Sequence, residues 1–179
     1  IILSREQLEN AQKLASSGFD VHILDSALGA EYPADVPLNA AVFGNYAILN
    51  PKTVCPNINF FGRTLIPVRQ GYAKCSAVPV TENAIITDDV AIASAAEKNG
   101  LEVLLVSKGD VLLPGREYGF IGGCCGLIAP DIMLFNGDLS SHGDADRIRA
   151  FLSSFGVSAE ETGHFPLTDI GGILPLAEK

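Results

Sequence analysis

The sequence predicts an α/β protein built from repeated units, each with one helix and three short strands. Three observations support this: an excess of glycine and proline, helices that end at glycine, and a recurring spacing of 49 residues. Glycine and proline supply 18 and 10 of the 179 residues, above the combined share of about 12% that is usual. Apolar residues reach 47% and charged residues only 18%, which argues against a disordered chain. The excess of glycine and proline therefore indicates many turns between short strands.

Three segments have the pattern of helices that begin at a polar capping residue and end at a glycine. The first has Gln7 three residues after Ser4, as in a capping box. A fourth apolar run, 47–50, leads into Pro51, Pro56 and Gly62, which argue against a helix in that unit. The predicted helices begin after Ser4, after Asp88 or Asp89, and near Asp144, and they end at Gly18, Gly100 and Gly156.

Two spacings of equal length define the repeat. Ile121 and Ile170, each followed by a glycine pair, lie 49 residues apart. Ile85 and Leu134, which begin or lie within apolar runs, are separated by the same distance. We predict a single domain over 1–179, and Ile1 in place of Met leaves room for a further unit upstream. Stacked radially, such units form a propeller-like α/β fold; the alternative is an open α/β sheet. The predicted units are 1–43, 46–80, 84–128 and 132–176.

Charge and composition exclude several function classes. The net charge of −9 argues against nucleic acid and against anionic membrane surfaces as partners. No apolar run is long enough for a transmembrane helix. Four cysteines without a signal peptide predict a reducing, cytoplasmic setting. The Cys and His spacings match no zinc site, and we expect no metal or organic cofactor.

The middle of the chain carries several recognisable motifs. They are Gln70-Gly71-Tyr72, Lys74-Cys75-Ser76, Ala84-Ile85-Ile86-Thr87, Gly109-Asp110, Leu113-Pro114-Gly115, Tyr118 to Gly123, and Leu167 to Leu174. With these motifs the chain resembles an uncharacterised bacterial family that has the guanidino-group-modifying-enzyme (GME) fold, also called the pentein fold. The resemblance implies ββαβ units around a pseudo-fivefold axis, whereas the repeats number about four here. It implies no assigned reaction, because the function of that family is unassigned.

Catalytic penteins use a Cys nucleophile, a His and acidic residues around the axis. If the strands predicted at 72–75, 121–124 and 170–173 are in register, Cys75 and Cys124 occupy equivalent positions. The resemblance therefore makes Cys75, Cys124 or Cys125 a candidate nucleophile. The alternative is that these thiols are core residues, since free cysteine is among the most buried residue types.

Acidic residues and one histidine complete the set of candidates. Gly109-Asp110 is similar to the Gly-Gly-Asp segment with which arginine-processing penteins hold a guanidinium; otherwise it is a turn. Asp169 opens a predicted strand that runs towards the axis, and alternatively its side chain bonds nearby backbone amides. His142, two residues before Asp144, is a candidate base or a residue of the helix cap.

Two cations flank an aromatic residue in this acidic protein. Arg69 and Lys74 lie on either side of Tyr72, so they are candidates for binding an anionic group such as a carboxylate, or they belong to a solvated turn. Two functions remain open. One is a non-catalytic pentein that binds a ligand or a partner protein. The other is a thiol-dependent hydrolase or deiminase that acts on a guanidino or amidino C–N bond. We expect a cationic guanidino-type small molecule as the ligand, and the sequence leaves the oligomeric state open.

Overall fold

The computed structural model describes residues 2–4, 7–24 and 28–175 of the chain. These residues form a mixed α/β structure with several small sheets and four helices. The helices are α1 (Leu8–Ser16), α2 (Ala73–Ser76), α3 (Val90–Lys98) and α4 (Ala145–Ser154). The strands are β1 (Ile2–Ser4), β2 (His22–Leu24), β3 (Ala40–Phe43), β4 (Tyr46–Leu49), β5 (Thr64–Pro67), β6 (Ala77–Pro79), β7 (Ala84–Thr87), β8 (Glu102–Leu105), β9 (Cys125–Ala129), β10 (Ile132–Phe135) and β11 (Ser158–Glu161). Two 3₁₀ turns lie at Ile121–Gly123 and Leu139–Ser141.

Three sheets repeat one topology. In each, two strands form an antiparallel pair, and a longer connection leads to a third strand that is parallel to the second. The sheets have the orders β3-β4-β5, β6-β7-β8 and β9-β10-β11, and β1 and β2 form a parallel pair of their own. Each three-stranded sheet joins a strand at the end of one predicted unit to the strands of the next. The sheet boundaries thus fall about one strand earlier than the boundaries predicted from the repeat.

The predicted ends of α3 and α4 are confirmed. Asp89 caps α3, since its carboxylate accepts hydrogen bonds from the backbone N–H groups of Ala91 (2.8 Å) and Ile92 (3.1 Å). After this helix the chain turns at Gly100, whose φ of +81° favours glycine. Asp144 lies at the N-terminus of α4. For α1, the Gln7 side chain accepts a hydrogen bond from the Ser4 backbone at 3.2 Å, which is one half of the predicted capping box.

The crossover between β4 and β5 has no helix, as the sequence predicts. Residues 50–63 form turns, which begin where Asn50 accepts a hydrogen bond from the Lys52 backbone. In the other two sheets the crossovers contain α3 and α4. Ile92 and Ala96 of α3 and Ile148 and Leu152 of α4 are fully buried against the sheets.

The strands predicted at 72–75, 121–124 and 170–173 are wrong. The first is the short helix α2, the second is the 3₁₀ turn, and the third is an irregular bend. The glycine pairs that suggested strands allow these turns to approach one another closely. A Cβ on Gly122 would lie 2.7 Å from the backbone oxygens of both Lys74 and Cys75. Tertiary contact between the turns therefore decides their conformation.

Among the described residues, no helix is long and apolar enough to cross a membrane.

Candidate functional site

A cavity of about 660 Å³ opens between the first strands of the three sheets. Residues from β3, β6 and β9 line it, together with β1 and the segment near Ile173. Most of these side chains are apolar. The polar exceptions are Gln7, Asp35, Asn39 and Lys74. A volume of this size and a largely apolar wall with a few polar groups are typical of small-molecule sites.

Lys74 is held at the wall of this cavity. Its ammonium group donates hydrogen bonds to the backbone oxygens of Gly171 at 2.8 Å and Gly122 at 3.1 Å. A Cβ on Gly172 would overlap the ammonium nitrogen, so the glycines leave the space that the lysine side chain occupies. The two carbonyl oxygens fix the position of the positive charge.

Asn39 lies on the same wall as Lys74 and bonds both Lys74 and its neighbour Cys75. Its side-chain oxygen accepts a hydrogen bond from the Lys74 backbone N–H at 2.7 Å, and its amide nitrogen donates to the Cys75 sulfur at 3.3 Å. The short helix α2 carries both residues, so the single asparagine from the loop before β3 fixes the start of α2 and the orientation of the thiol. Sequence reasoning missed Asn39, because no local pattern marks it.

The environment of Cys75 favours the protonated thiol. Burial is the main effect that raises its pKa, and the carboxylates of Asp169 and Asp88 raise it further. The hydrogen bond from Asn39 and the charge of Lys74 oppose this without reversing it. Because the thiolate is the nucleophilic form, a raised pKa makes Cys75 a weak nucleophile near neutral pH.

The Asp169 carboxylate is fully engaged with the backbone. One oxygen accepts from Phe120 N–H and the other from Gly171 N–H, both at 2.9 Å. Asp169 is only 9% exposed and lies against Gly119 and Gly123. This side chain ties the 3₁₀ turn to the C-terminal segment. The bonds are those of the alternative interpretation of the sequence, in which Asp169 bonds nearby backbone amides.

Asp88 is a second buried carboxylate, and the sequence suggested it only as a helix cap. It is 4% exposed, and one of its oxygens has no hydrogen-bond partner among the described residues. The other oxygen accepts only a long bond of 3.4 Å from Ile121 N–H. Burial raises the pKa of Asp88 to about 6, although the charge of Lys108 lowers it in part.

Asp35 faces the cavity next to a group of aromatic rings. Tyr72 donates its hydroxyl proton to one Asp35 oxygen at 2.5 Å, and this bond, together with burial and the charge of Asp35, raises the pKa of Tyr72 to about 12. The other oxygen is buried and has no hydrogen-bond partner in the described chain. Tyr72 stacks on Phe120 and contacts Tyr32. No sequence pattern marks Asp35, which lies in the irregular stretch before β3.

Cys124 and Cys125 are buried and face a common acceptor. Both thiols donate to the backbone oxygen of Ile121 at 3.2 Å. Interaction with the Cys125 thiol, followed by burial, raises the pKa of Cys124 far above its usual range. Only Cys125 of the two lines the cavity. These properties are those of core thiols.

His142 and Asp110 meet at a loop beside α4. The Asp144 backbone N–H donates a hydrogen bond to Nδ1 of His142 at 3.0 Å. This nitrogen lies 3.7 Å from an oxygen of Asp110, which itself accepts from the Gly143 backbone at 2.9 Å. His142 is 3% exposed. Both side chains organise the start of α4, and neither lines the cavity.

The remaining candidate, Arg69, and the other two histidines lie elsewhere. Arg69 is exposed and lines a separate, open cavity of about 620 Å³, so it does not join Lys74. His22 pairs with Asp20 on the surface, and His164 is exposed. In the part of the chain that the structure describes, no histidine forms a hydrogen bond with Cys75, and no cluster of three or more His, Cys, Asp or Glu has the arrangement of a metal site.

Comparison with known proteins places the chain in a family without assigning a reaction. No curated protein matches it. A family model covers nearly the whole sequence, residues 1–174. The chain therefore belongs to this family, which is described as a family of unknown function (DUF6873).

Proposed function

We propose that this chain is a non-catalytic pentein that binds a small molecule in the 660 Å³ cavity. The fold proposal is supported by the three sheets of identical topology, whose first strands all line the cavity. In a propeller of ββαβ units, these strands would surround the axis. The free state of all four cysteines supports a reducing, cytoplasmic setting.

The observation that carries the binding function is the presence of opposite charges in one largely apolar cavity. Asp35 lines this cavity, and one of its oxygens is buried without a hydrogen-bond partner among the described residues. Such an oxygen suits the N–H donors of a cationic guanidino-type group, which forms charge-assisted hydrogen bonds with carboxylates. Asp110 and Asp169, the acidic residues suggested by the sequence, already accept backbone hydrogen bonds. In this proposal Asp35 takes the role assigned to them.

Calorimetric titration with a panel of small guanidino compounds tests the proposal. We expect at least one compound to bind, and we expect Val42→Trp to weaken that binding at least tenfold, because Val42 lines the cavity and the larger indole would take up space that the ligand needs. Val90→Trp is the matched control, since Val90 is 69% exposed at the start of α3 and does not line the cavity. Equal loss of binding in both variants, or none in either, would place the ligand outside the cavity.

A thiol-dependent hydrolase is the second candidate, and the observation in its favour is that Asn39, which lines the cavity, bonds both Cys75 and Lys74. The raised pKa of Cys75 argues against it. We expect iodoacetamide at pH 7 to label Cys75 no faster than Cys55, which is also partly exposed and serves as the internal reference. Mass spectrometry of the labelled peptides gives both rates. Rapid labelling of Cys75, with release of ammonia from guanidino compounds, would favour the enzyme.

A further inference from the structure

Among the described residues, the Lys74 ammonium has no carboxylate partner. Its two hydrogen bonds go to neutral carbonyl oxygens, and none of the ion pairs between described residues includes it. An ammonium has three N–H donors, so one remains after these bonds. A charged group at a mostly apolar wall favours a ligand group of opposite charge.

We propose that Lys74 is the carboxylate-binding end of the cavity, so that the ligand carries an anionic carboxylate on an apolar body. This inference rests on the proposed function, because it concerns the same cavity. Asn39 supplies a second donor: its amide nitrogen gives one proton to the Cys75 sulfur and keeps another. Lys74 and Asn39 both line the cavity. Together they offer one N–H for each of the two oxygens of a carboxylate.

The surroundings favour a carboxylate over a phosphate. Lys74 is the only cationic residue among those that the structure places around the cavity, and Asp35 adds a negative charge to the lining of the same cavity. A dianion would have one cation to bind and a carboxylate to repel it. A monoanion at Lys74 avoids this, and it leaves Asp35 to face a cationic group at the other end of the same ligand. The preferred ligand is therefore dipolar.

Three probes of similar length separate the two charges. Butylguanidine carries only the cation, pentanoate only the carboxylate, and 4-guanidinobutanoate both. Each is titrated by calorimetry into the wild-type chain, Lys74→Met and Lys98→Met. Lys98 is an exposed residue of α3 that does not line the cavity, so its variant controls for the loss of one positive charge. Circular dichroism checks that each variant keeps the wild-type fold.

We expect wild type to bind 4-guanidinobutanoate at least tenfold more tightly than butylguanidine, since a hydrogen bond to a charged group is lost with the carboxylate. Lys74→Met should abolish this preference and the binding of pentanoate, while Lys98→Met keeps both. Equal binding of butylguanidine and 4-guanidinobutanoate by wild type would overturn the inference, and this comparison needs no variant. An unchanged preference in Lys74→Met would also overturn it.

The two proposals fail separately in this experiment. Binding of pentanoate that depends on Lys74, without binding of butylguanidine, would support the carboxylate site and contradict the guanidino ligand. Binding of butylguanidine with no gain from the carboxylate would support the proposed function and contradict the role of Lys74. If none of the three probes binds, both are wrong.

Discussion

Replacement of Gly123 by alanine is expected to lower the free energy of unfolding by about 3 kcal/mol, near the upper end of what overpacking costs. The added Cβ would overlap the Asp169 carboxylate. That carboxylate has little room to move, because the N–H groups of Phe120 and Gly171 hold its two oxygens and the residue is buried. The φ of Gly123 is not in the left-handed region, so alanine is acceptable to the backbone and the contact alone decides the outcome.

Urea denaturation measures this loss, and two further variants identify its cause. Gly143→Ala is the control, because its Cβ would lie 3.2 Å from one Asp110 oxygen and touch little else, so the change should stay within about 1 kcal/mol. Asp169→Ala removes the opposing side chain and itself destabilises, since it leaves two backbone N–H groups unpaired. The double variant of Gly123 and Asp169 should be no less stable than Asp169→Ala. Additive losses would contradict the contact as the cause.

The helix boundaries could be predicted from the sequence because the interactions that set them are local. Asp89 caps α3 through N–H groups two and three residues away, and Gly100 ends the turn after this helix with its positive φ. The first strand, the helix and the second strand of the two units that contain α3 and α4 could be predicted as well, because they follow from hydrophobic patterning, whereas the strands predicted at 121–124 and 170–173 are turns. The family model covers 1–174 and assigns neither a propeller nor a reaction.

The cavity could not be predicted, because distant segments create it. The Lys74 ammonium bonds to a carbonyl oxygen 97 residues away, and Asn39 reaches Cys75 across 36 residues. The sequence pattern predicts strands at the glycines near Lys74, whereas in the structure these glycines allow turns to pack closely against one another. Asp35 lies in an irregular stretch where no periodicity marks a functional side chain. Of the sequence candidates, Lys74, Cys75 and Cys125 lie at or beside the cavity, whereas Arg69, Asp110 and His142 lie elsewhere.

Replacement of Asp88 by asparagine is expected to stabilise the chain at pH 7. The carboxyl is buried, one oxygen lacks a hydrogen-bond partner in the described residues, and its pKa in the folded state is about 6. In the unfolded chain an aspartate has a pKa near 3.9. Between these values the folded state binds more protons, so the stability of wild type falls as the pH rises from about 4 to 6. The difference of about two between these pKa values lowers the free energy of unfolding of wild type by roughly 3 kcal/mol above pH 6.

Urea denaturation of wild type and Asp88→Asn between pH 4.5 and 7 measures this effect. The variant lacks the ionisable group. We therefore expect the excess of its free energy of unfolding over that of wild type to be small at pH 4.5, to grow with pH and to level off above pH 6. Asp144 has the opposite effect on stability. Its pKa is lowered to about 2, mainly by the Arg147 side chain, so its ionised form stabilises the fold, and this stabilisation is lost only as the pH falls below about 4. Asp146→Asn, at an exposed position of α4, controls for net charge and should keep the wild-type pH dependence. If Asp88→Asn and wild type differ by the same amount at every pH, the buried carboxyl is not the group that destabilises the ionised protein.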